Sequence, residues 1–174
     1  MSNEELARRN AKRRIFQIGF VTDDLEKAMQ AWIDNLGVGP WTVLTFTEAT
    51  MKNFKVNGKL VTEPFKFLIA ATSMGDLQIE ILQPVYGPSH LSEFLAASGP
   101  GFHHIKERVA DADIPGFLSG LRSRGVGILQ SGELGADLHY HLDTESKLDF
   151  IYEIGNCLSV DLPPEIISTY PAET

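Results

Sequence analysis

The sequence predicts an α+β protein in which two tandem βαβββ modules form a curved mixed sheet around a central cavity. The order strand, helix, strand, strand, strand occurs in both halves of the chain, which indicates an internal repeat. Gln17 and Asp24 in the first half have the same separation as His104 and Asp111 in the second half. One unit alone would leave a face of its sheet exposed, so we expect the two units to pair and enclose a cavity.

The repeat divides the 174 residues into five predicted segments. They are a polar lead-in at 1–14, a first module at 15–86, a linker helix at 87–101, a second module at 102–156 and an extended tail at 157–174. A chain of this length can bury a core as one domain or as two small fused modules.

The first module is expected to open with a strand at 15–22, followed by the segment DDLEKAMQAWIDNLG. This segment predicts an amphipathic helix that Asp23 can cap and Gly37 can end. Apolar residues recur in it at helical spacing, at Leu25, Met29, Trp32 and Leu36.

Three strands are expected after this helix, in WTVLTFT, LVTEPFKFLIAAT and DLQIEILQP. Residues 48–60 are predicted to be a polar loop with a turn at Asn57-Gly58. The first module therefore has one helix and four strands.

The second half repeats this order after a linker. PSHLSEFLAASGPG predicts a short capped helix and a Gly/Pro linker, and GFHHIKERV predicts a strand. DADIPGFLSGLRSRG predicts a helix with Asp111 or Asp113 at its start and Gly125 at its end. VGILQ, DLHYHLDT and LDFIYEIGN predict the three closing strands.

Composition excludes several classes of function. The formal net charge of -8 argues against binding to nucleic acid or to an anionic membrane surface. The single cysteine, Cys157, excludes an internal disulfide framework and is more typical of a small buried apolar residue than of a nucleophile. The charged N-terminal segment does not resemble a signal peptide, and no segment is apolar enough to span a bilayer. We therefore expect a cytoplasmic protein.

Four predicted strands each carry one side chain that can bind a metal ion. They are FQIGFV with Gln17, LQIEIL with Glu80, FHHIKERV with His104 and FIYEI with Glu153. Strand side chains alternate between faces, so each of these points away from the apolar face formed by its neighbours. Strands that line one cavity would bring together one imidazole, two carboxylates and one amide oxygen. This donor set suits one divalent ion of Zn, Ni, Co, Mn or Fe.

Each of these residues also has a purely structural interpretation. Glu80 and Glu153 are compatible with solvent-facing positions on half-buried strands, and Gln17 with an ordinary hydrogen-bonded strand residue. His104 is compatible with a hydrogen-bonded core histidine, and a register shift of one residue would replace His104 by His103 as the ligand. The repeat favours the metal site, because all four residues occupy equivalent places in the two halves.

Further polar residues are candidates for contacting a substrate. His139 and His141 share one face of the strand DLHYHLD, and Lys106 and Arg108 share the face of His104. These side chains are compatible with binding an anionic group of the substrate and equally with simple exposure to solvent. The aromatic residues Trp41, Phe46 and Phe54 suit the wall of a pocket or, more commonly, the core.

This layout resembles the vicinal oxygen chelate superfamily, which includes glyoxalase I, methylmalonyl-CoA epimerase, extradiol dioxygenases and bleomycin-resistance proteins. The resemblance covers roughly residues 15–156. PSHLSEFLAASGPGFHHI is especially similar to methylmalonyl-CoA epimerase, and QIGFVTDDLEKAMQAWIDNLGVGPW to the broader glyoxalase-like group. The ligand types at Gln17, Glu80, His104 and Glu153 resemble those of glyoxalase I. The resemblance implies the glyoxalase fold, one metal ion and a homodimer.

Departures from glyoxalase I narrow the expected substrates. Its arginine and asparagine that bind glutathione are replaced here by Val21 and Pro84. The second catalytic glutamate of the epimerase has no exact counterpart, although Glu63 and Glu48 lie near its place. We therefore expect a substrate other than a glutathione adduct.

The sequence thus predicts a metal-dependent lyase or isomerase that acts on a small carbonyl or acyl-thioester substrate through an enolate. Glu153 and Glu80 are the predicted catalytic residues, because a carboxylate at the ion can remove a proton from the substrate. The alternative is a metal-free protein that binds an antibiotic or aromatic molecule, as the bleomycin-resistance proteins do.

Overall fold

A computed structural model describes residues 1–172, and positions 173–174 of the predicted tail lie outside the described residues. Its helices are α1 (Asn3–Asn10), α2 (Leu25–Leu36), α3 (His90–Ser98), α4 (Ile114–Arg122) and α5 (Glu145–Leu148). Its strands are β1 (Ile15–Val21), β2 (Trp41–Thr47), β3 (Lys52–Val56), β4 (Lys59–Leu60), β5 (Lys66–Met74), β6 (Leu77–Tyr86), β7 (Gly101–Arg108), β8 (Ile128–Leu134), β9 (Asp137–Leu142), β10 (Ile151–Gly155) and β11 (Ile167–Tyr170).

All eleven strands form one mixed sheet in the order β11-β2-β5-β6-β1-β7-β10-β9-β8-β3-β4. The first module contributes β2-β5-β6-β1 and the second contributes β7-β10-β9-β8, so the two modules are arranged as mirror-ordered copies. They meet where β1 pairs antiparallel with β7. This architecture confirms the predicted α+β class and its two βαβββ units.

The strand register shows that corresponding residues of the two modules are paired in the same way. β1 runs parallel to β6, and Gly19 stands opposite Glu80. β7 runs parallel to β10, and Lys106 stands opposite Glu153. Gly19 and Lys106 each lie two residues after the first predicted ligand of their module, so the pairing geometry is the same in both.

Two segments outside the repeat connect the far edges of the sheet. The segment 48–60 was expected to be a polar loop, but it forms the hairpin β3–β4, with the predicted turn at Asn57-Gly58. β3 pairs with β8 of the second module, although it starts only five residues after β2 ends. Five residues span at most about 17 Å, so the sheet must curl until β2 and β8 approach each other.

The C-terminal tail makes the reverse connection. It leaves β10 of the second module and adds β11 to β2 of the first module. The Tyr170 hydroxyl donates a hydrogen bond of 2.7 Å to Gln30 on α2. The tail therefore ties the two modules together across the open side of the sheet.

Local details correct several expectations. Asp24, rather than Asp23, caps α2 by accepting a hydrogen bond from the Lys27 amide. The strand predicted to begin in LVTEP begins instead at Lys66, because Pro64 interrupts the run and the preceding residues bend away. Gly37 ends α2 in the left-handed conformation, as expected.

The core is divided by the sheet. On the outer face α2 packs against the first module through Leu25, Met29, Trp41, Ala70 and Ile79, and α4 packs against the second through Ile114, Leu142 and Ile154. Inside the curl lies an aromatic cluster that includes Phe46, Phe54, Phe65, Phe67 and Phe94. These packed residues close one end of the interior and leave the rest open as a cavity. Among residues 1–172, none of the helices has the length and apolar character needed to cross a membrane.

Candidate metal centre

The four predicted ligands converge near the seam between the modules. The imidazole Nε2 of His104 lies 3.2 Å from the amide oxygen of Gln17. The same nitrogen lies 3.0 Å from a carboxylate oxygen of Glu153 and 3.5 Å from one of Glu80. The structure thus brings together residues from β1, β6, β7 and β10, which are far apart in sequence.

The donor set of this cluster fits a cation. Three oxygens with lone pairs surround one imidazole nitrogen, and a protonated Nε2 can donate to only one of them. Such a convergence of electron-rich atoms in a buried site is favourable when a positive ion lies between them. Mixed imidazole, carboxylate and amide ligation is typical of divalent transition metals.

A glycine gives the His104 ring its place. Gly19 stands opposite His104 in the β1–β7 pairing. A Cβ atom at residue 19 would overlap the imidazole of His104. Gly132 has the same role for His139, whose ring carbon would be 2.7 Å from an added Cβ. The glycines therefore let bulky side chains lie across neighbouring strands.

A β-bulge explains the neighbouring histidine. Gly19 pairs with His104 and Phe20 pairs with Phe102, so His103 is the extra residue of β7. The Nδ1 atoms of His103 and His104 are 2.9 Å apart, which is a hydrogen-bond distance. This bond suits the tautomer in which His104 carries its proton on Nδ1 and leaves Nε2 free for a ligand. The geometry places His104, and not His103, among the three oxygens.

All five histidines of the chain form one contiguous cluster. Successive ring centroids lie 5.2 to 6.0 Å apart along His90, His103, His104, His141 and His139. Ligand nitrogens of His103, His104 and His141 lie within 4.8 Å of one another, so these three form a second group of possible metal donors that shares His104 with the first. His141 Nε2 is 3.3 Å from Glu153, which makes it a neighbour of the predicted ligands.

Burial keeps most of this cluster neutral. It lowers the pKa of His104 and that of His139 to about 3, and the pKa of His90 to about 4. The pKa of His103 is lowered for the same reason. Neutral imidazoles have a free lone pair, which is the form that binds a metal ion.

The two glutamates have opposite electrostatic settings. Burial, together with the nearby Glu153 carboxylate, raises the pKa of Glu80 to about 8. For Glu153, burial favours the neutral acid, but the Lys106 ammonium, together with a hydrogen bond from His141, outweighs it and holds the pKa well below the usual range. Without an ion, Glu153 is therefore the charged carboxylate and Glu80 takes a proton readily.

Lys106 is part of the centre rather than a solvated surface lysine. It is buried, and its Nζ lies 3.0 Å from the second carboxylate oxygen of Glu153. Burial alone would lower the pKa of Lys106, but Glu153 and Asp137 raise it, so the ammonium stays charged. Lys106 and the ligand cluster thus bind different oxygens of one carboxylate.

The predicted residues line a cavity of about 440 Å³. Lys106, Arg108, His139 and His141 all face it, as do the predicted ligands Gln17, Glu80 and Glu153. Arg108 is exposed and stacks on Phe16, with its guanidinium carbon 4.5 Å from the ring centre. Cys157 also lines the cavity, and burial raises the pKa of its thiol, which does not favour a nucleophile.

Several candidates lie elsewhere. Glu63 and Glu48 are exposed and do not line the cavity; Glu48 accepts a hydrogen bond from the Phe65 amide. Of the three aromatic candidates only Phe46 lines the cavity, whereas Trp41 packs under α2 and Phe54 lies in the aromatic cluster. Of the four candidate glutamates, Glu80 and Glu153 line the cavity, where Asp137 is a third carboxylate.

Sequence reasoning missed two supporting residues. Gln78 accepts a hydrogen bond of 2.5 Å from the Gln17 amide nitrogen, which turns the Gln17 oxygen towards His104. Gln78 lies two residues before Glu80 and so shares its face, a signal that was available in the sequence. The role of His103 depends on the bulge, which the sequence does not reveal.

Comparisons with known proteins agree with this fold. Residues 16–141 match the profile of the glyoxalase/bleomycin resistance protein/dioxygenase superfamily. No curated protein matches the chain significantly. Many solved structures are similar to it, and three of them, at low sequence identity, illustrate the shared fold.

One is a hypothetical protein from Bacillus halodurans, with a TM-score of 0.59, 18% identity, and coverage of 87% of this chain and 99% of that chain. A second is a Streptomyces coelicolor methylmalonyl-CoA epimerase variant in complex with 2-nitronate-propionyl-CoA, with a TM-score of 0.56, 21% identity, and coverage of 86% and 98%. The third is the Mycobacterium tuberculosis methylmalonyl-CoA epimerase, with a TM-score of 0.52, 20% identity, and coverage of 81% and 85%.

Proposed function

Because the chain belongs to the glyoxalase/bleomycin resistance protein/dioxygenase superfamily, we propose that it is a metal-dependent lyase or isomerase. Its substrate is a small carbonyl or acyl-thioester compound that reacts through an enolate. The observation that supports this proposal best is the convergence of Gln17, Glu80 and Glu153 on the free nitrogen of His104.

These four residues would hold one divalent ion of Zn, Ni, Co, Mn or Fe. A bound ion supplies Lewis-acid stabilisation of the negative charge that develops on a substrate oxygen. The protein supplies the rest of the chemistry: a dry site, a fixed orientation of the substrate, and carboxylates that accept and return a proton.

Proton transfer in this proposal uses Glu153, with Glu80 opposite. A carboxylate oxygen takes the proton from the carbon next to the carbonyl. The electron pair of the broken C–H bond becomes the carbon–carbon double bond of the enolate, and the π pair of the carbonyl moves to its oxygen. Return of a proton to the other face of the carbon gives the epimer, and return to a neighbouring atom gives an isomer. Glu153 and Glu80 reach His104 from equivalent strands of the two modules, which supports transfer at two faces.

The metal assignment is tested by elemental analysis and by titration of metal-free protein. Wild type is expected to bind about one ion per chain, and His104→Ala is expected to lose most of that affinity. His139→Ala is the matched control, because it removes a cavity histidine outside the four ligands. Equal affinity in wild type and His104→Ala would rule out the assignment.

The base is tested with Glu153→Gln, which keeps the size of the side chain. The variant should fold and retain some metal, while exchange of the substrate's acidic proton with deuterated solvent collapses. Exchange at the wild-type rate would exclude Glu153 as the base and leave Glu80 as the remaining carboxylate beside His104.

The substrate proposal excludes glutathione adducts. Val21 and Pro84 stand where glyoxalase I has its glutathione-binding residues, so we expect poor turnover of the methylglyoxal–glutathione adduct. A CoA thioester or another carboxylate-bearing substrate is expected instead, with Lys106 or Arg108 near its anionic group. Efficient glyoxalase I activity would refute this substrate proposal.

We also propose that the protein is a cytoplasmic homodimer. Light scattering at micromolar concentration tests the dimer, and a monomer would contradict it.

A second function has its own support. The apolar side of the cavity suits a metal-free protein that binds an aromatic or antibiotic molecule. Retention of ligand binding after complete removal of metal, with no proton exchange in any form, would favour this function over the enzyme.

A further inference from the structure

We propose that the substrate has two unlike parts: an oxygen-bearing head that faces the second module and an apolar body that lies against the first. This inference rests on the proposed function for the head and on the cavity wall alone for the body. It names a class of substrate, amphipathic small molecules with vicinal oxygens at one end.

The cavity wall is divided between the two modules. Beyond the predicted ligands, the first module presents mainly apolar side chains, Leu44, Phe46, Phe67, Ile69 and Leu82, with Gln78 as a polar exception. The second module presents mainly polar ones, Lys106, Gln130, Asp137, His139 and His141, with Leu134 as an apolar exception. The two walls therefore differ in chemistry, although equivalent strands of the repeat build them.

Segments outside the repeat add further apolar side chains to the cavity wall. Met51 reaches the cavity from the turn before β3, and Leu158, Val160 and Leu162 reach it from the tail. The tail is held against the β8–β9 hairpin of the second module, since the Leu158 amide donates to Asp137 at 3.1 Å. Val160 packs on Gly135, where an added Cβ would lie 2.6 Å from the Val160 side chain. These residues increase the apolar area that an apolar body can contact.

Size and desolvation support an apolar body. The cavity of about 440 Å³ lies within the usual range for small-molecule sites of about 300–1,000 Å³. A substrate so small that it contacts only the predicted ligands would make no contact with the apolar wall. A charged or strongly polar body would lose hydration against Phe67 and Ile69 without gaining hydrogen bonds.

A series of alkyl hydroxamic acids tests the inference directly. These probes carry two vicinal oxygens and differ only in chain length, from acetohydroxamic to octanohydroxamic acid. Calorimetric titration of the zinc-loaded protein is expected to show affinity rising about fourfold per methylene until the cavity is filled. Affinity that does not change with chain length would overturn the inference.

Two variants of one wall residue sharpen the test. Ile69→Thr should reduce the gain per methylene, and Ile69→Trp should stop the rise at a shorter chain because it fills the cavity. Val43→Thr is the matched control, since Val43 packs on the opposite face of the sheet, towards α2. An equal effect of Ile69→Thr and Val43→Thr would also contradict the inference.

Metal-free protein separates the two proposals. A series of 1-alkanols of the same lengths, measured after chelation, reports on the apolar wall without the head. If alkanol affinity rises with chain length and hydroxamate affinity is the same with and without zinc, the apolar wall is supported and the metal-dependent function is refuted. If hydroxamate binding requires zinc but its affinity does not change with chain length, the metal centre is supported and the proposal of an apolar body is refuted.

Discussion

At the scale of single residues, Gly19 matters because the candidate centre leaves no room for a side chain at this position. We predict that Gly19→Ala lowers metal affinity at least tenfold, because the new methyl group would displace the His104 ring. Gly101→Ala on the same strand as His104 is the control, since an added Cβ there meets open space. Metal titration of both variants decides the matter, and unchanged affinity in Gly19→Ala would show that the ring can move freely.

His103 is predicted to position His104 through their shared hydrogen bond. His103→Leu should weaken metal binding by about 10–100-fold, as loss of such partners usually does. His103→Asn should restore part of the affinity, because its side-chain oxygen can accept the same proton.

A spectroscopic readout separates positioning from general damage. In metal-free wild type, nitrogen NMR should show His104 protonated on Nδ1, and His103→Leu should shift the tautomer balance. An unchanged His104 tautomer in His103→Leu would contradict the positioning role.

At the scale of elements, the hairpin β3–β4 depends on its turn. Asn57 and Gly58 both have positive φ, of 50° and 76°, as the two central residues of a type I′ hairpin turn require. Gly58→Ala should lower the free energy of unfolding by about 1–2 kcal/mol, because an alanine is strained there although the space is open.

Gly116→Ala provides a comparison of opposite sign. Gly116 lies in α4, where an added Cβ also meets open space. Alanine should stabilise this helix by up to about 1 kcal/mol. Chemical unfolding of both variants measures the two changes, and a neutral Gly58→Ala would mean that the turn tolerates other geometries.

At the scale of the whole molecule, the histidine cluster should make the metal-free fold sensitive to acid. Burial lowers the pKa of His90 from 6.5 to about 4, so below pH 6.5 the unfolded chain binds the extra proton and the folded chain does not. The contribution of His90 to stability therefore falls as the pH drops from about 6.5 towards 4, by about 2 kcal/mol at pH 5. His103, His104 and His139 act in the same direction.

Chelator-treated His90→Leu should lose about 2 kcal/mol less than wild type between pH 7 and pH 5 in chemical unfolding. The comparison at two pH values cancels any general effect of the substitution on packing. Identical pH dependence in both proteins would show that His90 is not the source of the acid sensitivity.

The repeat and the fold class can be predicted from the sequence alone, which also indicates the residues of the candidate centre. Alternation along each strand places Gln17, Glu80, His104 and Glu153 opposite their apolar neighbours, and the repeat relates them in pairs. These are local properties of spacing and polarity, which a single chain displays directly.

Features that depend on contacts between distant segments are visible only in the folded structure. The bulge that brings His103 beside His104 follows from the register of β7 on β1, and the pairing of β3 with β8 follows from the curl of the sheet. The charge state of Lys106 depends on Glu153, which is a neighbour only after folding. Register, curvature and burial arise from many long-range contacts at once, so no local pattern in the sequence records them.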